Sequence, residues 1–214
     1  MTRCWCYNVN ELSDPGHFEK GLERLPWPER REKALKYKQD MDRYRSLGAS
    51  LLLLHALKEA GVSDLALSVG PHGKPSLARD QGVFFNLSHS GQYAVCAVSD
   101  DSVGVDVQVK LNRDSILRHS LLHCCHSDEL NWMTYNGVFP HSFYELWTRK
   151  ESYLKAIGSG FTVDPKSICV LKDTQLPLPF HFHETRIDDH YLCVCDRSEE
   201  RVRFEEVSGL WQEE

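Results

Sequence analysis

The sequence predicts an α+β fold built from two similar halves that meet near residue 104. Segments with the 3.6-residue apolar period of helices alternate with segments that have the two-residue period of half-buried strands. Their order is strand, helices, strands before residue 104, then helices, strands after it. No low-complexity linker separates the two parts. The sequences of the two parts show no convincing internal repeat. We therefore divide the chain into an N-terminal half, residues 1–104, and a C-terminal half, residues 105–214.

The N-terminal half begins with a strand and two helices. Alternating apolar residues predict the strand over residues 3–9. A helix over residues 29–41 follows a Pro-Trp-Pro segment and has a dense basic face. The next helix, residues 44–60, carries a stripe of leucines and ends at Gly61, a residue that favours helix termination. We expect this helix to pack in the core.

The period of the pattern then changes to two. It predicts strands over residues 65–69, 83–87, 93–98 and 103–109. In the last of these the valines share one face, so Asp106 and Gln108 lie side by side on the other face. This strand therefore presents a carboxylate and an amide together.

The C-terminal half repeats the change from helices to strands. Its pattern predicts helices over residues 114–125, from residue 127, and over residues 142–157. Strands are predicted over residues 167–171, 180–184, 191–195 and 202–207.

Composition excludes several classes of function. The net charge of −6 argues against a general nucleic-acid binder, which needs a basic surface. No apolar run approaches the length of a membrane span, and the N-terminus lacks the pattern of a secretory signal. From these observations we expect a cytoplasmic protein without a membrane partner. We also expect the chain to act as a monomer.

The eight cysteines allow a second interpretation, a zinc-binding interaction protein. Close pairs stand at Cys4/Cys6, Cys124/Cys125 and Cys193/Cys195, with His119, His123 and His126 beside the middle pair. None of the pairs has the two-to-four-residue gap of a zinc knuckle. In a strand, the C-x-C spacing places both thiols on one face. We therefore favour buried, reduced thiols.

Several polar residues would suit phosphate chemistry if the fold brings them together. Glu151 and Lys155 are neighbours on one helix face, which is also the spacing of an ordinary surface ion pair. His89 stands at the end of a predicted strand among small polar residues. Oxygen ligands for a hard cation, cations for anionic oxygens and small polar residues are what phosphate chemistry requires. The combination favours a phosphate site more than any member does alone.

Four segments, in this order, resemble the successive motifs of the surfactin-type (Sfp-like) 4'-phosphopantetheinyl transferases. They are Gly73-Lys74-Pro75, Phe85-Asn86-Leu87-Ser88-His89-Ser90, Gly104-Val105-Asp106-Val107 and Trp147-Thr148-Arg149-Lys150-Glu151-Ser152-Tyr153-Leu154-Lys155-Ala156. The resemblance spans nearly the full chain and is weak before residue 26 and after about residue 165.

The resemblance implies a pseudo-dimer of two α+β halves, with coenzyme A bound in the cleft between them and Mg²⁺ on its pyrophosphate. It implies transfer of the phosphopantetheine arm to a serine of an apo acyl or peptidyl carrier protein, with Glu151, Lys155 and His89 as catalytic residues. By motif position Asp106, Glu151 and Gln108 would bind the metal. Coenzyme A would contact Arg30, Lys33, Ser46, Gly73, Lys74, Pro75, Ser88, His89 and Lys155.

One position departs from the family pattern. Many members have a second acidic residue two positions after the first, and this chain has Gln108 there. An amide oxygen or a water can take that place on Mg²⁺. An alternative is a coenzyme A-binding module that has lost transfer, which the intact Asp106, Glu151 and Lys155 disfavour. Carrier docking is expected at an apolar edge formed by Leu121, Leu122, Leu130 and Trp132.

Overall fold

The computed structural model describes residues 1–71, 73–110, 123–137, 141–158, 160–172, 174, 176 and 178–212. The helices are α1 (Pro15–Arg24), α2 (Pro28–Lys36), α3 (Asp40–Glu59), α4 (Ser127–Tyr135) and α5 (His141–Ile157). The strands are β1 (Arg3–Asn8), β2 (Leu67–Val69), β3 (Pro75–Leu77), β4 (Phe84–Ser90), β5 (Tyr93–Ser99), β6 (Gly104–Val109), β7 (His181–Ile187), β8 (His190–Asp196) and β9 (Arg203–Val207). The α+β fold class is confirmed.

Two main sheets form in the described part of the chain. The first has the order β4-β5-β1-β9, in which β9 runs parallel to β1 and the other neighbours are antiparallel. The second has the order β6-β8-β7 and is antiparallel throughout. β2 and β3 form a separate short hairpin. The strands β4 and β6 are therefore both at the edge of their sheets.

In the described ranges, three clusters of apolar side chains hold the sheets and helices together. Helix α3 packs its leucines on one face of the first sheet, where Trp5 and Tyr7 are buried. The opposite face of that sheet carries Cys4 and Cys6 and packs on the valines of β6 and β8. Helix α5 covers the far side of the second sheet. Successive side chains of β1 therefore point into two different apolar clusters, because side chains alternate between the two faces of a strand.

The cysteines of the strands are buried, reduced thiols. Cys4, Cys6, Cys193 and Cys195 are all free and almost fully buried. Burial raises the pKa of the Cys6 thiol to about 12. The prediction that the two C-x-C pairs pack as ordinary apolar side chains is confirmed.

Helix α1 was not predicted. Asp14 caps it by accepting hydrogen bonds from the amides of Gly16 and His17, and Pro15 stands at its first position. An acidic N-cap followed by proline is a helix-start signal that the sequence contains.

The predicted helix over residues 29–41 was too long. It ends at Lys36, and Tyr37 has an extended backbone. A new helix starts at Asp40, not at residue 44, with Asp40 and Asp42 in its first turn. These carboxylates favour that start because they face the positive end of the helix dipole, and they pair with Arg43 and Arg45.

The predicted strand over residues 167–171 was wrong. Ile168 and Val170 do alternate into the C-terminal core. Their backbone groups, however, bond to side chains: the Val170 amide donates to Glu129, and the Ile168 carbonyl accepts from Lys150. The hairpin strand β3 was not predicted. The helix predicted over residues 114–125 lies mainly outside the described residues.

The C-terminal segment of the chain returns to the N-terminal half. β9 joins the first sheet beside β1, and Leu210 and Trp211 pack against the core under α3. The division into residues 1–104 and 105–214 stays a prediction, as does the pseudo-dimer; the sheets place the last strand with the first half. Within the described ranges, no helix combines the length and apolar character that crossing a membrane requires.

A partly buried His–Asp pair on the second sheet predicts pH-dependent stability. His183 Nε2 lies 3.1 Å from Asp196 Oδ1, and this hydrogen bond raises the pKa of His183 above its usual 6.5. Its stabilisation is therefore full below pH 6.5 and is lost as the pH rises through the raised folded-state pKa. His183→Gln should lower the free energy of unfolding by about 1–3 kcal/mol at low pH and by less at high pH. Urea unfolding at about pH 5.5 and about pH 9 measures this, with His181→Gln as the control; an equal loss at both pH values would contradict it.

Candidate functional site

The candidate site lies where β4, β6 and α5 meet. β6 can approach α5 closely because Gly104 has no side chain: a Cβ there would lie 2.0 Å from the Ser152 carbonyl oxygen and 2.5 Å from the Ala156 nitrogen. This contact sets the spacing between Asp106 on the strand and Glu151 and Lys155 on the helix. Glycine is therefore required by packing at this position.

Two ion pairs, one of them buried, fix α5 in place on its other side. Lys150 Nζ donates to Glu129 Oε2 at 2.8 Å and to the carbonyl oxygens of Pro165 and Ile168 at 2.9 and 2.7 Å. Both side chains are almost fully buried. Arg149 makes a two-point contact with Glu184 at 2.8 and 2.6 Å. The residues next to Glu151 thus anchor the helix instead of facing the site.

Ten of the predicted site residues line one cavity of about 520 Å³. They are Arg30, Lys33, Ser46, Pro75, Ser88, His89, Asp106, Gln108, Glu151 and Lys155. The other described residues of the lining are Tyr37, Ala49, Leu87 and Trp147. Residues that are far apart in sequence therefore line one cavity, whose surface carries both basic and acidic side chains.

Gly73 and Lys74 line a neighbouring cavity of about 240 Å³, which shares Glu151 and Lys155 with the first. Lys74 Nζ donates to the carbonyl oxygens of Lys155, at 2.6 Å, and Val103, at 3.2 Å. Burial lowers the pKa of Lys74 to about 8. Lys74 thus links the last turn of α5 to the chain before β6.

Asp106 is the most buried charged group of the cavity, at 2% exposure. Its Oδ1 accepts from Lys155 Nζ at 2.6 Å and from Ser88 Oγ at 2.8 Å. Its Oδ2 accepts from Gln108 Nε2 at 3.1 Å. The Lys155 ammonium therefore neutralises Asp106 in this structure, and the Gln108 amide oxygen is the atom that remains for a further contact.

Glu151 is half-buried beside this group. Burial raises its pKa, the nearby Asp106 carboxylate raises it further, and Lys155 opposes the rise. Because the Asp106 carboxylate disfavours the ionisation of Glu151 in the same cavity, a cation bound between them would be stabilising. Carboxylate and amide oxygens are also the donors that Mg²⁺ prefers. The donor set of Asp106, Glu151 and Gln108 therefore fits this ion.

The opposite wall of the cavity is basic. Arg30 is oriented by a hydrogen bond to Ser50 Oγ at 3.3 Å and lies over the Trp27 ring. Lys33 is exposed one turn further along α2. His89 has its pKa lowered by desolvation and by nearby cations, above all Arg45 and Lys155. His89 is therefore neutral at neutral pH and contributes a hydrogen-bonding group to a surface whose charge comes from arginine and lysine.

A separate group of three side chains, His126, Asp128 and Cys169, has potential metal-binding atoms within 4.8 Å of one another. None of them lines the cavity that contains Asp106. His126 Nδ1 already accepts the Asp128 amide at 3.2 Å as the N-cap of α4. A metal on that nitrogen would compete with the cap, so this group gives the zinc alternative little support. His119 lies outside the described residues.

Comparison with known proteins identifies the family. The sequence profile of the 4'-phosphopantetheinyl transferase superfamily matches residues 102–204. The chain is 30% identical to a protein of Aneurinibacillus migulanus named 4'-phosphopantetheinyl transferase gsp, over 78% of this chain and 74% of that protein. The chain belongs to the 4'-phosphopantetheinyl transferase superfamily.

Other phosphopantetheinyl transferases match over similar shares of their length. One is Sfp of Bacillus subtilis, 27% identical over 78% of this chain and 80% of Sfp. Another is a phosphopantetheinyl transferase of Thraustochytrium, 34% identical over 83% of this chain and 70% of that protein. The Sfp-like resemblance of the motifs is thus confirmed, and the family is one of transferases.

Sequence reasoning gave no role to several residues on which the site depends. Gly104 and Asn86 were recognised only as members of motifs. The partner of Lys150 was missed, although Glu129 stands three residues after His126 in a capping-box arrangement. That spacing signals the start of a helix, but it does not indicate that the carboxylate is buried or that Lys150 is its partner.

Proposed function

We propose that the chain transfers the 4'-phosphopantetheine group of coenzyme A to a serine of an apo acyl or peptidyl carrier protein. The products are the holo carrier and adenosine 3',5'-bisphosphate. The observation that carries the proposal is the cavity in which Asp106 and Glu151 face Arg30, Lys33 and Lys155. The names of the related proteins, which describe phosphopantetheinyl transfer, support it.

The basic wall is the proposed site of the coenzyme A phosphates. Arg30 and Lys33 carry the positive charge, and charge-assisted hydrogen bonds to phosphate are the strong ones. Ser46, Ser88 and His89 offer neutral hydrogen bonds in the same cavity. The adenine is proposed to lie along Gly73, Lys74 and Pro75, at the border between the two neighbouring cavities.

Asp106 and Glu151, with Gln108 as a third oxygen donor, are the residues proposed to hold Mg²⁺. When bound there, the ion would neutralise charge on the pyrophosphate of coenzyme A. The magnesium requirement, a monomeric state and a cytoplasmic place of action stay predictions.

In the proposed reaction Glu151 accepts the proton of the carrier serine, directly or through a water. The serine oxygen forms a bond to the phosphorus that bears pantetheine, and the bond from that phosphorus to adenosine bisphosphate breaks. Lys155 stabilises the negative charge on the departing bisphosphate, and His89 hydrogen-bonds to it. Because the chemistry is mainly positioning and electrostatics, the residues that hold α5 and β6 should contribute to the rate in addition to the base.

Release of adenosine 3',5'-bisphosphate from coenzyme A tests the proposal. With Mg²⁺ and an apo carrier we expect release equal to the amount of carrier modified, and none with a carrier whose acceptor serine is alanine. A binding module without transferase activity would bind coenzyme A, measured by calorimetry, and release nothing. That result would refute the proposed function.

The carrier is proposed to dock near α4. Trp132 on this helix is 39% exposed, and Leu130 is partly buried against the C-terminal core; Leu121 and Leu122, also predicted for this edge, lie outside the described residues. Trp132→Glu should raise KM for the carrier about tenfold, because it removes an aromatic contact from an interface. Affinity for coenzyme A should not change. Trp132→Phe is the matched control, and an unchanged KM in Trp132→Glu would exclude docking at this residue.

A further inference from the structure

Among the described residues, strand β6 has no hydrogen-bonded strand at one of its two edges. It pairs with β8 on one side and is the first strand of its sheet. Its other edge faces β4, with which it is in extensive contact. Val105 and Val107 are fully buried in the layer between the two sheets. Their amide groups therefore need hydrogen-bond acceptors that water does not readily supply.

The side chains of β4 supply those acceptors in a regular ladder. The Val105 amide donates to Asn86 Oδ1 at 2.9 Å. The Val107 amide donates to Ser88 Oγ at 3.5 Å, and the Val109 amide donates to Ser90 Oγ at 3.1 Å. Both strands contribute every second residue, so the two-residue period of β4 matches the two-residue period of β6.

The hydrogen bonds of this ladder lie on both sides of Asp106, which is proposed to bind the metal. Asp106 lies between the first two rungs, at Val105 and Val107. The middle rung, Ser88, also donates to Asp106 Oδ1 at 2.8 Å and accepts from Lys155 Nζ at 3.1 Å. Lys155 in turn donates to the Val105 carbonyl on the same edge, at 3.2 Å. The position of the Asp106 carboxylate is therefore tied to the register between β4 and β6.

We propose that Asn86 and Ser90 are positioning residues, which fix β6 and its Asp106 by replacing the hydrogen bonds of a missing neighbouring strand. The expected effect on the transfer reaction rests on the proposed function. The hydrogen bonds between β4 side chains and the β6 backbone do not depend on it. The proposal adds a second role to the Asn-Leu-Ser-His-Ser segment. Its alternate residues, Asn86, Ser88 and Ser90, hold β6, while Ser88 and His89 also line the cavity that contains Asp106 and Asn86 lines the neighbouring one.

Amide hydrogen exchange tests the ladder without reference to activity. In the wild type we expect slow exchange at Val105, Val107 and Val109. Ser90→Ala should speed exchange at Val109 by about tenfold or more and leave Val105 unchanged, because only one acceptor is removed. Asn86→Leu should speed exchange at Val105 and leave exchange at Val109 unchanged. Ser90→Thr keeps the hydroxyl and should restore protection, while equal exchange at Val109 in Ser90→Ala and wild type would overturn the ladder.

Steady-state kinetics test the positioning role. Asn86→Leu should lower kcat by about tenfold while KM for the carrier stays unchanged, since the reacting groups move and the docking surface does not. Ser90→Thr should match the wild type. A wild-type kcat in Asn86→Leu, together with lost Val105 protection, would leave a purely structural ladder and overturn the positioning role. If the wild type itself transfers nothing, the proposed function fails, and the exchange data alone decide on the ladder.

Discussion

Replacing Glu151 by glutamine is expected to lower kcat for transfer to an apo carrier by about 10³-fold. The substitution removes the proposed general base and one of two carboxylates of the metal site, and electrostatic groups of this kind contribute such factors. The side chain keeps its size, so the cavity keeps its shape. Steady-state kinetics with coenzyme A and an apo carrier measure the change.

Glu145→Gln is the matched control for this experiment. Glu145 lies on the same helix but pairs with Arg186 at 2.6 Å and does not line the cavity that contains Asp106. We expect it to retain the wild-type kcat. Near-normal transfer by Glu151→Gln would show that the roles assigned to Glu151 are wrong.

The second large effect is expected at Gly104. A methyl group there would lie 2.0 Å from the Ser152 carbonyl oxygen, which is backbone and cannot rotate away. Gly104→Ala must therefore push α5 away from β6, and the free energy of unfolding should fall by about 3 kcal/mol. The displacement also separates Glu151 from Asp106, so kcat should fall in the protein that still folds.

Denaturant unfolding of Gly104→Ala and Gly70→Ala measures this effect. Among the described residues, a Cβ at Gly70 would meet only the Lys74 carbonyl oxygen, at 3.5 Å, an ordinary contact. We expect that control to differ from the wild type by less than about 1 kcal/mol. Equal stability of the two variants would mean that β6 and α5 are not held at the distance described.

Much of the fold could be predicted from local patterns, and the errors have physical causes. Alternation located β4, β5, β6 and β8 because each has an apolar face, and both faces of β5 and β8 are buried. The same alternation misled at residues 167–171, where Val170 is buried but its amide bonds to the Glu129 carboxylate. The period of the apolar residues indicates which side chains are buried. Whether a segment is a strand depends instead on the hydrogen-bond partners of its backbone groups.

Long-range pairing could not be predicted at all. β9 was expected as a strand, yet nothing local indicates that it lies parallel to β1, about 200 positions earlier in the chain. The partners of Lys150 were equally inaccessible, since Glu129, Pro165 and Ile168 meet it only through the packing of α4 and α5. Contacts of this kind are decided by tertiary structure and leave no pattern in the sequence around them.

The site residues came from motifs, and the structure adds their arrangement. Ten of the predicted residues line one cavity, whereas Lys74 turns to the carbonyls of Val103 and Lys155. The motif did not distinguish the contacts that hold β6 from those that face the cavity. That distinction needed the positions of β4 and β6, which belong to different sheets.

The intact mass of an apo carrier protein, after incubation with coenzyme A and the wild-type chain, tests the central claim most directly. With Mg²⁺ we predict that the carrier gains the mass of one phosphopantetheine group, and with a chelator in place of Mg²⁺ that it gains none. A carrier that stays unmodified in Mg²⁺, while the chain binds coenzyme A, would contradict the account.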